Sequence, residues 1–154
     1  MYPLGHIGIT VFLSVLLYLP ASFAFIGVLL PDVIDKLLFA AGLVPCSIFF
    51  SHTVFFGPII SILTFLVTKR KDISLAILLG SFAHLLEDAN HFVPWLYPII
   101  NYPFNCGPLT FTITPFVVLT EALGVALLVA TVVFNSKLIY FRDKINSWLK
   151  VLTN

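Results

Sequence analysis

The chain has 154 residues, of which 60% are hydrophobic and 10% are charged, and its formal net charge is +1. Soluble domains are typically about 45–50% apolar and about 25% charged, so this composition excludes an ordinary soluble domain. The 8 Lys+Arg residues barely exceed the 7 Asp+Glu residues. Nucleic-acid binding is therefore not expected, because it needs a basic surface. The composition indicates a membrane protein with several spans.

About five segments are apolar enough for transmembrane helices, which need roughly 20 mostly apolar residues. They are residues 5–19, 21–43, 51–68, 73–91 and 112–134. The first is short, so it either spans only partly or forms a hairpin with the second at Pro20. Pro31 interrupts the second, because proline lacks the N–H donor and clashes with the preceding turn. The predicted fold is all-α: a polytopic membrane helix bundle of about five transmembrane segments, one of them interrupted by proline.

Basic residues predict the orientation of the chain, since Lys and Arg concentrate in cytoplasmic loops. One cluster is residues 69–71, and the second lies in the tail. With both in the cytoplasm, the N-terminus and the loop at residues 92–111 face outward, in the inner cell membrane. We expect a bundle at residues 1–136 and a cytoplasmic amphipathic helix at 137–154, anchored on anionic lipid or bound to a partner.

The only two cysteines, Cys46 and Cys106, both fall in connections predicted to be external. That compartment permits a disulfide, but the sequence alone does not decide between a disulfide and two thiols.

Ionisable side chains lie inside the apolar segments, where they are costly and by default mark a functional site. Most of them fall in the predicted outer half of the membrane, and Glu121 lies in the middle of its segment. The set is His6, Asp32, Asp35, Lys36, His52, His84, Glu87, Asp88, His91 and Glu121. Four separate segments thus bring polar groups to one depth.

The spacing of these residues suits a metal ion. His84, Asp88 and His91 share one helix face, because they are four and seven residues apart, and Asp32 and Asp35 are one helical turn apart. Imidazole and carboxylate are usual ligands for zinc, iron or manganese.

Plainer roles exist for some of these residues. His6 alone would be an ordinary interfacial histidine, and Asp32 with Lys36 would be a structural ion pair. A plain role fits His84 and Asp88 least well, because it would place two ionisable groups on one membrane-embedded face.

Five motifs in order carry a family resemblance over residues 6–98. They are His6-Ile7-Gly8, Leu29-Leu30-Pro31-Asp32-Val33-Ile34-Asp35-Lys36, Ser51-His52-Thr53, Ala83-His84-Leu85-Leu86-Glu87-Asp88 and Pro94-Trp95-Leu96-Tyr97-Pro98. Through these five motifs, the chain resembles the membrane-bound metal-dependent hydrolases of the YdjM type, which are small inner-membrane proteins. It departs from their pattern at Ser47-Ile48, where members often carry His-Arg.

The resemblance and the ligand pattern together predict a membrane-embedded metal-dependent hydrolase whose site opens to the outer leaflet. It would use one or two divalent ions, zinc before manganese or iron, to activate water against a lipid or polyprenyl phosphoester. The expected partners are thus membrane lipids and a lipid-like substrate. The predicted metal ligands are His6, Asp32, His52, His84 and Asp88, with Asp35 as a second or bridging carboxylate.

Three further residues are predicted to act in catalysis. Glu87 is the candidate general base, because a carboxylate beside the metal can take a proton from water. Lys36, and His91 when protonated, would neutralise charge that develops on a phosphoryl oxygen.

Two other functions remain open at this point. A proline-broken segment with buried acids is also a device for binding ions near the membrane midplane, so a proton or ion pathway, or a small transporter, is an alternative. The other is a structural membrane protein in which a metal only braces the bundle.

Overall fold

The computed structural model describes residues 3–89, 92–104 and 113–153, and it describes residues 134–139 and 141–153 by their backbone alone. Within these residues the regular secondary structure consists of helices without any strand, so the fold is all-α, as predicted. The helices are α1 (Pro3–Leu16), α2 (Ala21–Ala40), α3 (Phe56–Thr68), α4 (Lys71–Glu87) and α5 (Pro115–Thr153), and a 3₁₀ turn at Phe50–His52 precedes α3.

Five complete membrane spans are not confirmed. Among the described residues, one helical stretch, Pro115–Val133 in α5, is long and apolar enough by length and composition to cross a membrane. Helices α1 and α3 are apolar but have only 14 and 13 residues, about 20 Å of helix against a hydrocarbon core of about 30 Å. Helix α5 continues past residue 136 without a break, so the separate tail domain remains a prediction.

Helices α1 and α3 bury mainly small and polar residues and expose large apolar residues. The buried residues of α1 are all small or polar: Gly5, His6, Gly8, Thr10 and Ser14. Large exposed side chains line α3: Ile59, Ile62, Leu63, Leu66 and Val67. This arrangement is the reverse of an amphipathic helix in a soluble protein and is typical of helices that associate within lipid through small residues.

Glycines let two helix pairs approach until their backbones touch. A Cβ atom on Gly8 of α1 would lie 1.8 Å from the carbonyl oxygen of Gly124 in α5. A Cβ atom on Gly80 of α4 would lie 2.4 Å from the carbonyl oxygen of Ala24 in α2. Helix α4 also contacts α1 and α3, so it is the central helix of the bundle.

The contact at Gly8 predicts a stability effect. We expect Gly8→Ala to lower the free energy of unfolding by about 1–3 kcal/mol, because the added methyl group forces α1 and α5 apart even though alanine favours a helix. Leu119→Ala, at an exposed position of α5, is the control. Thermal melts in detergent measure both variants, and an unchanged melting temperature for Gly8→Ala would contradict the close α1–α5 contact.

The interruption predicted at Pro31 is wrong, because α2 continues through that residue. Proline cannot donate to the carbonyl oxygen of Gly27 one turn earlier. The hydroxyl of Ser81 in α4 donates to that oxygen instead, at 3.2 Å. The neighbouring helix thus satisfies the group that proline leaves unpaired, which is the condition for proline inside a membrane helix.

The segment at residues 92–104 packs against the chain on both sides of the 3₁₀ turn. The backbone N–H of Val54 donates to the carbonyl oxygen of Trp95 at 3.0 Å, and the rings of Tyr97 and Phe104 each lie 5.0 Å from that of Phe49. Cys46 is disulfide-bonded, while Cys106 lies outside the described residues.

Candidate metal centre

Three buried histidine rings meet at one end of the bundle. His6 lies in α1, His52 in the 3₁₀ turn and His84 near the end of α4. The rings of His6 and His84 are stacked with centroids 4.4 Å apart, and those of His52 and His84 meet edge to face at 5.0 Å. The turn between α3 and α4 lies at the other end, since the 17 residues of α4 span about 25 Å.

One group of potential metal ligands consists of His6, His84 and Asp88. The two oxygens of Asp88 face one histidine each: Oδ1 lies 3.3 Å from His6 Nε2, and Oδ2 lies 3.4 Å from His84 Nε2.

The second group consists of Asp32, His52 and His84. The Nε2 atoms of His52 and His84 are 3.1 Å apart. Asp32 Oδ1 lies 3.5 Å from His52 Nε2 and 3.9 Å from His84 Nε2. His84 Nε2 is therefore common to both groups.

These distances fit a divalent ion. A tetrahedral zinc ion with bonds of about 2.0–2.2 Å holds its ligand atoms about 3.3–3.6 Å apart, and the donor atoms here are separated by similar distances. His6 Nε2 is buried and makes no hydrogen bond within the described part of the chain, although Asp88 Oδ1 is near. A buried imidazole nitrogen of this kind is a typical ligand atom for a divalent metal ion.

The sequence matches the family described as YdjM inner membrane protein over residues 1–145. The chain belongs to the YdjM family. No curated protein and no solved structure matches it. Family membership supports a membrane location, in agreement with the composition and with the outward-facing apolar side chains.

Asp35 is not a member of either ligand group in this YdjM-family protein. Its side chain is fully buried, and Oδ2 accepts hydrogen bonds from the backbone N–H of Phe49 at 2.6 Å and from His52 Nδ1 at 2.7 Å. Oδ1 accepts one from the backbone N–H of Ser51 at 3.1 Å. A carboxylate on Nδ1 leaves the Nε2 lone pair free and fixes the direction of the ring, so the geometry favours an orienting role over the predicted ligand role.

Glu87 stands in the same relation to His6, because its Oε2 is hydrogen-bonded to His6 Nδ1. The opposite ring nitrogen, Nε2, then faces Asp88. Glu87 Oε1 makes no hydrogen bond within the described residues. Two carboxylates thus orient two of the three histidines, whereas Nδ1 of the third, His84, has no hydrogen-bond partner among the same residues.

Lys36 lies at the edge of the site. Its ammonium group is 2.6 Å from Asp32 Oδ2, and the Lys36 side chain is 48% exposed against 22% for Asp32. The predicted ion pair therefore exists, and it stands where the buried cluster meets the surface. His91, the third predicted catalytic residue, lies outside the described residues.

Two contributions were not foreseen from the sequence. Ser51 donates its hydroxyl to the carbonyl oxygen of Pro31 at 2.9 Å, which ties the 3₁₀ turn to α2; its place beside His52 was the available signal. Glu121 accepts the backbone N–H of Gly5 at 3.0 Å, so it caps the first turn of α1 next to His6. Glu121 is not a member of either ligand group.

Proposed function

We propose that this YdjM-family protein is a membrane-embedded hydrolase that uses one divalent metal ion to cleave a phosphoester of a lipid or polyprenyl phosphate. The observation that carries the proposal is the convergence of three buried histidines and two aspartates from four separate segments. Burying so many ionisable groups together in an apolar bundle is costly unless they bind something.

The shared histidine is the reason for proposing a single ion. A neutral imidazole nitrogen has one lone pair, so His84 Nε2 serves one metal ion at a time. The two ligand groups both need that atom, and they therefore describe alternatives around one ion. Two or three imidazoles with carboxylates suit zinc best, with manganese or iron next.

Two carboxylates of the protein, Asp35 and Glu87, orient the histidines of the proposed metal site. A bound divalent ion supplies Lewis acidity, which polarises a phosphoryl oxygen and makes water a better nucleophile. Asp35 and Glu87 hold His52 and His6 with their Nε2 atoms toward the site. Glu87 Oε1, which has no hydrogen-bond partner in the described chain, is the proposed acceptor of a proton from water.

The surface around Lys36 supports a lipid phosphoester as the substrate class. Lys36 presents a cation that can neutralise a phosphate group. Val33 and Leu37, on either side of it in α2, are large exposed apolar residues that suit an acyl or polyprenyl chain. The unbroken helix α2 lacks the helix break that the transporter alternative invoked, although its buried acid, Asp35, is present.

Hydrolysis assays on zinc-loaded protein test the proposal. We expect phosphate release from phosphatidate or polyprenyl phosphates, and we expect Lys36→Gln to lower kcat/KM about 10- to 100-fold with unchanged metal content, because it removes a charge-assisted contact to the phosphate. Lys137→Gln, in the distant part of α5, is the matched control.

The bracing-metal alternative predicts a different result. A zinc-loaded protein that hydrolyses none of these lipids, and whose metal only raises the melting temperature, would overturn the hydrolase proposal and support that alternative.

A further inference from the structure

A groove of about 310 Å³ lies between α3 and α4, at the end of the bundle away from the histidines. Ile62, Phe65 and Leu75 form its apolar walls, and Ser74 and Lys71 complete the lining. Ile62 and Leu75 are exposed. The groove therefore opens to the surroundings of the bundle rather than into its core.

Lys71 lines one end of this groove, which we call its mouth, and it belongs to the cationic cluster Lys69, Arg70 and Lys71, which Asp72 follows. Arg70 is paired with Asp72, with 2.6 Å between Nη2 and Oδ2, and the hydrogen bond from its guanidinium lowers the pKa of the Asp72 carboxyl. The pair is thus neutral overall. Lys69, at the end of α3, and Lys71, at the start of α4, leave two positive charges at the mouth.

The hydroxyl group of Ser74, which lines the groove, is already hydrogen-bonded within the protein. Ser61 and Ser74 join α3 to α4 through a reciprocal pair, in which each hydroxyl reaches the other residue's carbonyl oxygen, at 3.0 and 2.7 Å. Leu75 lies four residues beyond Lys71, about 6 Å along the helix, and Ile62 lies seven residues before Lys69, about 10 Å. The groove therefore leads from cations to purely apolar walls over roughly the first third of a hydrocarbon core.

We propose that this groove binds an anionic phospholipid, with its phosphate against Lys69 and Lys71 and one acyl chain between Ile62, Phe65 and Leu75. The charge and the apolar walls match the two ends of such a lipid. The family's membrane location makes lipid the molecule in contact with these exposed walls. The site is independent of the proposed hydrolase function, because Lys71 and Leu75 precede His84 on α4 by 13 and 9 residues, about 20 and 14 Å along the helix.

Lipid titration of the purified protein in neutral detergent tests the site, with native mass spectrometry and thermal melts as readouts. We expect phosphatidylglycerol to bind and to raise the melting temperature, and phosphatidylcholine to do neither. Lys71→Glu should weaken phosphatidylglycerol binding at least fivefold, in keeping with about 1 kcal/mol for each cation near an anionic surface. Lys71→Arg should restore it.

A matched pair of tryptophan variants tests the groove itself. Leu75→Trp, which fills the groove, should abolish phosphatidylglycerol binding, whereas Leu63→Trp should not. Leu63 and Leu75 are both 51% exposed, and Leu63 is not part of the lining. A melt without lipid shows that each variant is folded. Equal binding of both lipids, equal effects of both tryptophans, or equal protection by soluble glycerol phosphate would overturn the proposal.

Discussion

Protein loaded with zinc and freed of excess metal is expected to hold one ion per chain, and His84→Ala is expected to hold none. The reason is the position of His84 Nε2, which lies 3.1 Å from His52 Nε2 and 3.4 Å from Asp88 Oδ2. Because this atom belongs to both ligand groups, its loss leaves two donors in each. Structural and catalytic zinc sites use three or four protein ligands.

Elemental analysis measures the stoichiometry, and cobalt(II) substitution reports the ligands through its absorption spectrum. Leu86→Ala is the control, since Leu86 is an exposed residue of α4 two positions after His84. His6→Ala and His52→Ala tell the two groups apart, because each removes a ligand from one group only. Two ions per chain, or full occupancy in His84→Ala, would contradict the single shared site.

Much of the candidate centre could be predicted from the sequence alone, because several of its residues are brought together by their spacing on one helix. His84 and Asp88 are four residues apart, so any helix through them places both on one face, and the structure does so. An ionisable group in an apolar segment is informative before any fold is known, since the cost of burying it demands a partner.

The roles of the individual carboxylates could not be predicted in this way. Asp32 and Asp35 look equivalent in the sequence, one turn apart on α2. They differ because the backbone N–H groups of Phe49 and Ser51, from a turn 14 and 16 residues further along the chain, converge on Asp35. Asp32 instead pairs with Lys36 on its own helix. This difference depends on how the 3₁₀ turn folds back onto α2, and the spacing of residues in the sequence does not predict that.

The continuity of α2 was missed for a similar reason. Pro31 is a reliable local signal for a break, but the compensating hydroxyl comes from Ser81, 54 residues after the Gly27 carbonyl oxygen that it satisfies. Tertiary contact therefore overrides the local preference. The short first helix was predicted, whereas α3 begins at Phe56 rather than at residue 51, because the 3₁₀ turn takes up the start of the predicted segment.

Replacing Asp35 is expected to affect stability and metal binding together, and in a graded order. Three donors converge on its buried carboxylate: the backbone N–H groups of Phe49 and Ser51, and His52 Nδ1. Asp35→Ala leaves all three without an acceptor, so we expect a loss of about 3–5 kcal/mol in unfolding free energy, given about 1–3 kcal/mol for each unsatisfied buried group. Asp35→Asn retains one acceptor oxygen and should lie between Ala and wild type.

The metal readout separates orientation from simple destabilisation. With Asp35 gone, His52 is no longer held with Nε2 toward the site, and loss of such an orienting carboxylate typically weakens metal binding about 10- to 100-fold. We therefore expect Asp35→Asn, assayed well below its melting temperature, to bind zinc more weakly than Gly8→Ala, which destabilises the bundle through α1 and α5. Asp72→Asn, at the exposed end of α4, serves as a second control and should bind zinc as the wild type does. If Asp35→Asn melts early but keeps wild-type zinc affinity, Asp35 only anchors the 3₁₀ turn, and the direction of the His52 ring must be fixed by its neighbours in the turn.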